Sequence, residues 1–336
     1  MIVDCHAHVI VPEVTRDAAP GESWRPLVGW EGGRQFVEAG GRRIWSAVHE
    51  FCDAAAILEQ QDAAGVDHVL LCPWVGLLGD GAEPEMAQRM ACIQNDGLER
   101  LAAEHPERIS ALGMVPLHDM ERAAEELRRL MARPGIAGIE LPASVSGAYL
   151  GDPRFEPLWG AAEDAGALVF VHPTTRGFDQ PVFQEYYLWN TVGNPLETAI
   201  TAAHMTLAGV MERHPRLLVL LAHGGGALAP LRGRLRHAWS FQPQARAALS
   251  QSPEHSLARF LYDTVVHDLS VLRDLVQWVG AEHVLLGSDY PFDMADAHGV
   301  EHVRSLGLPA EDEELILGGN AARLIDGAIS DSTPGR

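Results

Sequence analysis

Two histidines one residue apart, His6 and His8, stand at the end of the first apolar run, MIVDCHAHVI. On a strand, residues i and i+2 share a face, so the two imidazoles lie side by side and aim the same way. Similar punctuation recurs along the chain. His172 ends LVFVHP, His223 follows an apolar run in LLAHGGG, and Asp289 follows another in LLGSDYPF. One histidine after such a run is ordinarily a structural residue with a hydrogen-bond partner. Hard-to-bury side chains repeated at the ends of several runs ask for a common cause. Imidazoles together with a carboxylate suit Zn²⁺ or a similar divalent ion with one position left open.

The elements that must position these groups are short apolar runs separated by amphipathic stretches. Candidate strands are Ile2–His6, Asp67–Cys72, Ile109–Val115, Ile136–Leu141, Ala167–His172, Arg216–Ala222, Phe260–Val265 and His283–Gly287. They are rich in Val, Ile and Leu and mostly do not alternate, as strands buried on both faces should be. Helical patterns such as MERAAEELRRLMARP lie between them, with stops at Gly65, Pro134 and Gly166. Alternation of this kind implies right-handed βαβ units. The expected fold class is α/β, a (β/α)8 TIM barrel over residues 1–325 followed by a flexible tail at 326–336. An open doubly wound sheet is the alternative, weakened because no GxGxxG follows the first strand. In a barrel, His6, His8, His172, His223 and Asp289 all fall at the carboxyl-terminal rim, where barrels carry their chemistry. Residues 10–50 form an insertion after strand one, with a hairpin expected in RQFVEAGGRRIWSAV around Gly40-Gly41. It reads as a lid over the rim or as a purely structural excursion.

Composition narrows the function classes. At 336 residues and 47% apolar the chain can bury a large core. A net charge of −21 argues against nucleic acid and anionic membranes as partners. Any anion bound here needs a local positive source, a metal or an arginine. The four cysteines show neither CxxC spacing nor a disulfide rhythm, and Cys5 and Cys72 sit in apolar runs. No signal peptide precedes Asp4 and no stretch is long enough to span a membrane, so a reduced, cytoplasmic protein is expected.

The ordered set DCHAHVIVPE, FVHPTTRG, LAHGGGALAPLRGRL, YDTVVHD, LLGSDYPF and GGNAARL runs from the start of the chain to about Ile325. It resembles the amidohydrolase-2 branch of the amidohydrolase superfamily. Within that branch it is closest in pattern to the 2-amino-3-carboxymuconate-6-semialdehyde decarboxylase family of metal-dependent, non-oxidative decarboxylases. The resemblance implies a barrel, one divalent metal ion (Zn²⁺, with Mn²⁺ as the other option), no organic cofactor, and a homodimer. It also implies roles for particular residues. His6, His8, His172 and Asp289 correspond to the metal ligands, Asp289 counting among the catalytic residues as well. His223 corresponds to the acid/base histidine beside the metal's water. Arg234 corresponds to an arginine that reaches the neighbouring subunit's site to clamp a substrate carboxylate.

One departure bears on the substrate. A second substrate arginine of that family falls at Trp45 here, with Arg42, Arg43 and His49 close by. This favours a small aromatic acid, stacked on Trp45 or Trp74 with its carboxylate held by Arg234, over aminocarboxymuconate itself. His267 in VVHD and Phe292 after strand eight are further candidates to line the site; Asp4 reads as a brace and Asn194 as a helix cap. The expected activity is decarboxylation of a small aromatic or unsaturated carboxylic acid. A metal-dependent hydratase or hydrolase would use nearly the same residues. A non-catalytic metal-binding barrel is a third reading, disfavoured because every member of the set is kept.

Overall fold

Apolar strands buried on both faces need cover on both sides, and here one side of the cover is the sheet itself, curled round. The computed structural model describes residues 1–15, 25–39, 42–46, 52–77, 84–174 and 177–330. Eight strands follow one another in space as in sequence: β1 (Val3–Val9), β2 (His68–Pro73), β3 (Ile109–Gly113), β4 (Ile136–Pro142), β5 (Leu168–His172), β6 (Leu218–Leu221), β7 (Leu261–Asp263) and β8 (Val284–Leu285). Each pairs in parallel with the one before it. The circle closes through the chain just after β8. Cys5 N donates to Leu286 O at 2.8 Å, and His8 N donates to Tyr290 O at 2.7 Å. The (β/α)8 barrel expected from the sequence is the fold.

Alternate residues of each strand separate into two cores. Leu70, Cys72, Phe170, Leu220 and Leu285 belong to the inner cluster, while Val69, Leu71, Val169, Val171 and Val219 belong to the larger cluster under the helices. Ala321 and Ile325 of the last helix, Asn320–Ser330, join the inner cluster and plug the barrel where its strands begin. Three of the outer helices start on carboxylate caps. Asp53 Oδ1 accepts from the Ala55 and Ala56 amides, and Asp119 and Asp268 repeat the arrangement. Gly166 ends the helix Glu156–Ala165 in the left-handed conformation, φ 63°.

The structure differs from the sequence reading in several places. β1 runs on to Val9, beyond His6, because it stays paired with β2 as far as Pro73, with Tyr290 bridging Ala7 on its other side. β8 is cut to two residues by the turn that carries Asp289. The insertion is a three-stranded antiparallel sheet, Leu27–Glu31, Arg34–Ala39 and Arg42–Ser46, and not a single hairpin. Its first turn is Gly32-Gly33, both at positive φ. Gly40, Gly41, His49 and the 331–336 end of the chain lie outside the described residues. Asn194 is not a cap: the π-turn Trp189–Gly193 leads straight into the helix, so Asn194 is already helical at φ −59°. Among the described residues no helix is long and apolar enough to cross a membrane, and all of the cysteines are free.

Candidate metal centre

The two opening histidines reach the barrel interior by way of a bulge. Asp4 pairs with Val69 but Ala7 pairs with Leu71, so β1 carries one extra residue there. Val3 and Cys5 point into the inner core; beyond the bulge Ala7 and Val9 face the helices, and His6 and His8 turn inward. His172 is the last residue of β5, level with Pro142 of β4. His223 and Asp289 sit on loops beyond β6 and β8, both in left-handed backbone at φ 57° and 60°.

These side chains converge on one point. His6 Nε2 lies 3.1 Å from His8 Nε2 and 3.1 Å from Asp289 Oδ1. His8 Nε2 is 3.3 Å and His172 Nε2 3.9 Å from the same oxygen. His223 Nε2 is 3.3 Å from Asp289 Oδ2. The donor atoms of His6, His172, His223 and Asp289 all fall within 4.8 Å of one another. Atoms bound at ~2.0–2.2 Å to one ion are themselves about 3.0–3.5 Å apart, the spacing of the His6, His8 and Asp289 atoms, with His172 Nε2 somewhat farther out at 3.9 Å.

Hydrogen bonds on the far side of three rings decide which nitrogen faces inward. His6 Nδ1 bonds to Asp263 Oδ2 at 2.6 Å, His8 Nδ1 to Pro73 O at 3.1 Å, and His172 Nδ1 to Pro173 O at 3.0 Å. With Nδ1 donating, each Nε2 presents a lone pair to the centre. Bare nitrogens and a carboxylate at this range repel one another unless positive charge lies among them. His172 Nε2 and Asp289 Oδ1 are buried and make no hydrogen bond among the described residues. The residues present therefore fit a divalent cation.

The electrostatics agree. Burial alone would push His6 down, but the Asp289 charge and the bond to Asp263 raise it to about 10. His172 has no such direct partner; burial and the neighbouring His8 and His223 push it well down, and burial lowers His8. Asp289 is held far below the usual carboxylate range: the neighbouring His6 and the hydrogen bond with His223 outweigh its burial. The centre thus combines an ionised carboxylate, two imidazoles that burial keeps neutral, His8 and His172, and a third, His6, that Asp289 and Asp263 draw toward positive charge. Asp4 braces it from outside the barrel, accepting from His6 N, Ser288 N, Ser288 Oγ and Gln61 Nε2, and so ties β1 to the loop that carries Asp289.

The remaining candidates are more scattered. Phe292 packs its ring edge-on against His8, centroids 5.0 Å apart. Trp74 is buried in the outer core. Trp45 is 41% exposed and meets Phe36, Arg34 and Arg43 within the three-stranded sheet. His267 lines a separate pocket with Asp296 and His302, to which none of the converging residues contributes. Arg234 lies exposed on the helix Leu228–Phe241. Its neighbours are engaged, Arg232 over Trp278 and Arg236 with Glu254 at 2.9 Å, whereas Arg234 makes no bond among the described residues.

Two buried carboxylates, Asp263 and Glu140, escaped the sequence reading. Glu140 faces the barrel interior with neither oxygen hydrogen-bonded among the described residues, and burial pushes it well above the carboxylate range. The signal was a lone charge inside an apolar run, GIELP and FLYDTV, rather than at its end. Gly287 also matters: a Cβ there would stand 2.9 Å from His6 Cβ and 3.1 Å from Asp263 Cβ. Gly287→Ala must displace His6, so it should cost ~1–3 kcal/mol of stability and loosen divalent-ion binding. Thermal melts and ion retention on dialysis check this; an unaltered melt with full retention contradicts it.

Comparison with known proteins places the chain. The amidohydrolase family profile matches residues 3–326. A 2-amino-3-carboxymuconate-6-semialdehyde decarboxylase of Dictyostelium discoideum is 32% identical over 271 residues, 80% of this chain and 75% of that protein. A gamma-resorcylate decarboxylase of a Rhizobium species is 27% identical over 347 residues, 96% of this chain and 97% of its own. A dihydroxybenzoic acid decarboxylase from a Polaromonas species, solved with manganese and 2-nitroresorcinol, shares the fold at TM-score 0.80 and 19% identity, covering 99% of each chain. Matched from its first strand to its last helix, the chain belongs to the amidohydrolase family.

Proposed function

We propose that this protein is a metal-dependent, non-oxidative decarboxylase of a small aromatic or unsaturated carboxylic acid. The observation that carries the reading is the meeting of His6, His8, His172, His223 and Asp289 at one point, with Nε2 of His6, His8 and His172 turned inward. His6, His8, His172 and Asp289 would hold one divalent ion. Imidazoles with a carboxylate suit Zn²⁺ and Mn²⁺ alike; Zn²⁺ is the expectation, and the manganese in the Polaromonas enzyme makes Mn²⁺ the other ion to test. Such an ion supplies positive charge for the acid's oxygens and for the charge that develops during reaction.

His223 is the proton carrier in this reading. It differs from His6, His8 and His172: its Nδ1 has no hydrogen-bond partner among the described residues, and its side chain is 16% exposed. A proton passes from His223 to the carbon that bears the carboxylate. The bond to the carboxyl carbon then breaks, CO₂ leaves, and the electron pair returns to the conjugated system, so no oxidant or reductant is consumed. The decarboxylases among the relatives support this over a hydratase or hydrolase. Turnover of ortho-hydroxy and ortho-amino aromatic acids in D₂O tests it. One deuterium at the carbon that lost its carboxylate is expected; water added across the substrate with no CO₂ would favour the hydratase or hydrolase.

A homodimer and a cytoplasmic setting complete the reading, along with a covering role for the residue 10–50 insertion. The helix Leu228–Phe241 buries only Leu228 of its own residues, and Leu231 and Phe241 are exposed, which leaves a face for a second copy. Arg234 would project from it into the partner's site as a carboxylate clamp. Arg234→Ala should then raise KM more than it lowers kcat. Mixed with His223→Ala under conditions of subunit exchange, it should recover about a quarter of wild-type activity, because each mixed dimer has one intact site. No recovery, or a monomer in solution, would contradict the role in trans.

A further inference from the structure

Asp263, the last residue of β7, is wholly buried. Its Oδ2 accepts from His6 Nδ1 at 2.6 Å and from the His223 amide at 2.9 Å. Its Oδ1 accepts from the amides of Gly224 at 2.8 Å and Val265 at 3.1 Å. A carboxylate offers about four lone-pair sites, so every acceptor position is filled. The donors come from β1, from the loop after β6 and from the second residue beyond β7. His223 and Gly224 are both left-handed, φ 57° and 58°, and their successive N–H groups curl round the carboxylate as a small anion-binding nest.

We propose that Asp263 is a positioning residue that holds the innermost histidine and the proton-carrying histidine in one frame. This rests on the reading of the centre given above. Through Oδ2 it keeps the His6 proton on Nδ1 and aims Nε2 inward, and through the same oxygen it fixes the backbone from which His223 extends. The two functions of the site, holding an ion and moving a proton, are thereby tied to one side chain that touches neither ion nor substrate. Asparagine cannot replace it. If the amide oxygen faces His6 and His223, the NH₂ group meets the Gly224 and Val265 donors; if reversed, NH₂ faces His6 Nδ1 and forces the proton to Nε2.

The test is the affinity for Zn²⁺ alone, measured by competition with a chromophoric chelator on full-length wild type and Asp263→Asn, with the absorption spectra of the Co²⁺-loaded proteins. Affinity about tenfold to a hundredfold weaker, with a changed Co²⁺ spectrum, is expected. A purely structural role would lower the melting temperature and leave both readouts alone. Equal affinity and an unchanged spectrum overturn the role of Asp263 while leaving the centre standing. A wild type that binds neither ion overturns the reading of the centre and this inference with it. Should Asp263→Asn not fold, ¹⁵N-histidine NMR of Zn²⁺-loaded wild type decides: a His6 proton on Nδ1, identified by its loss in His6→Ala, supports the proposal, and one on Nε2 overturns it.

Discussion

Asp289→Asn should fold and fail to hold a divalent ion. Asparagine is nearly isosteric and, among residues with a side chain, one of the best suited to the left-handed backbone at this position, φ 60°. The amide that ties the loop to β1, Asp289 N to His6 O at 2.7 Å, is unaffected by the change. What disappears is the ionised oxygen that His6, His8 and His172 all face. A neutral amide cannot offset a divalent charge among buried imidazoles, so affinity should fall by roughly a hundredfold or more, beyond the loss typical of an outer partner. CO₂ release should fall with it. His172→Ala removes another inward lone pair and should act in the same direction. Metal analysis after dialysis, with a melt to show that the fold is intact, checks both. Full retention in either variant would mean that the ion is held elsewhere.

The second large effect separates chemistry from binding. His223→Ala should keep the ion, because His6, His8, His172 and Asp289 are untouched, and lose turnover by ~10²–10⁴-fold, the usual worth of a positioned acid or base. His223 occupies left-handed backbone, where alanine is strained. His223→Asn accommodates that conformation and removes the imidazole, so equal loss in the two variants assigns the effect to the ring. A fully active His223→Ala would overturn the acid/base role.

Much of this centre was legible in the sequence because its members violate burial rules at regular places. His6, His8, His172, His223 and Asp289 each interrupt or follow an apolar run at its carboxyl end, and the parallel barrel brings those ends together. What stayed hidden has physical reasons. A strict period of two puts His6 and His8 on one face but on the opposite side from Val3 and Cys5; the bulge that turns all of them inward leaves no mark in the residue types. Asp263 and Glu140 lie within their runs, where a charge is easily taken for a strand end or an exposed edge. The first strand of the insertion, LVGWE, is short and glycine-interrupted, so the pattern showed two strands and the chain formed three. Trp45 and His267 rest on the family resemblance, and the structure gives them neighbours away from the converging histidines.

The most direct test of the central claim is metal content measured together with CO₂ release on the same purified protein. It would be assayed with and without chelator against ortho-hydroxy and ortho-amino aromatic acids and muconate semialdehydes. About one divalent ion per chain, the number a single four-ligand site holds, with CO₂ release that chelator abolishes and Zn²⁺ or Mn²⁺ restores, is the expected result. A bound ion with no CO₂ released from any of these acids would contradict the decarboxylase and turn the search to lactones, amides and conjugated acids.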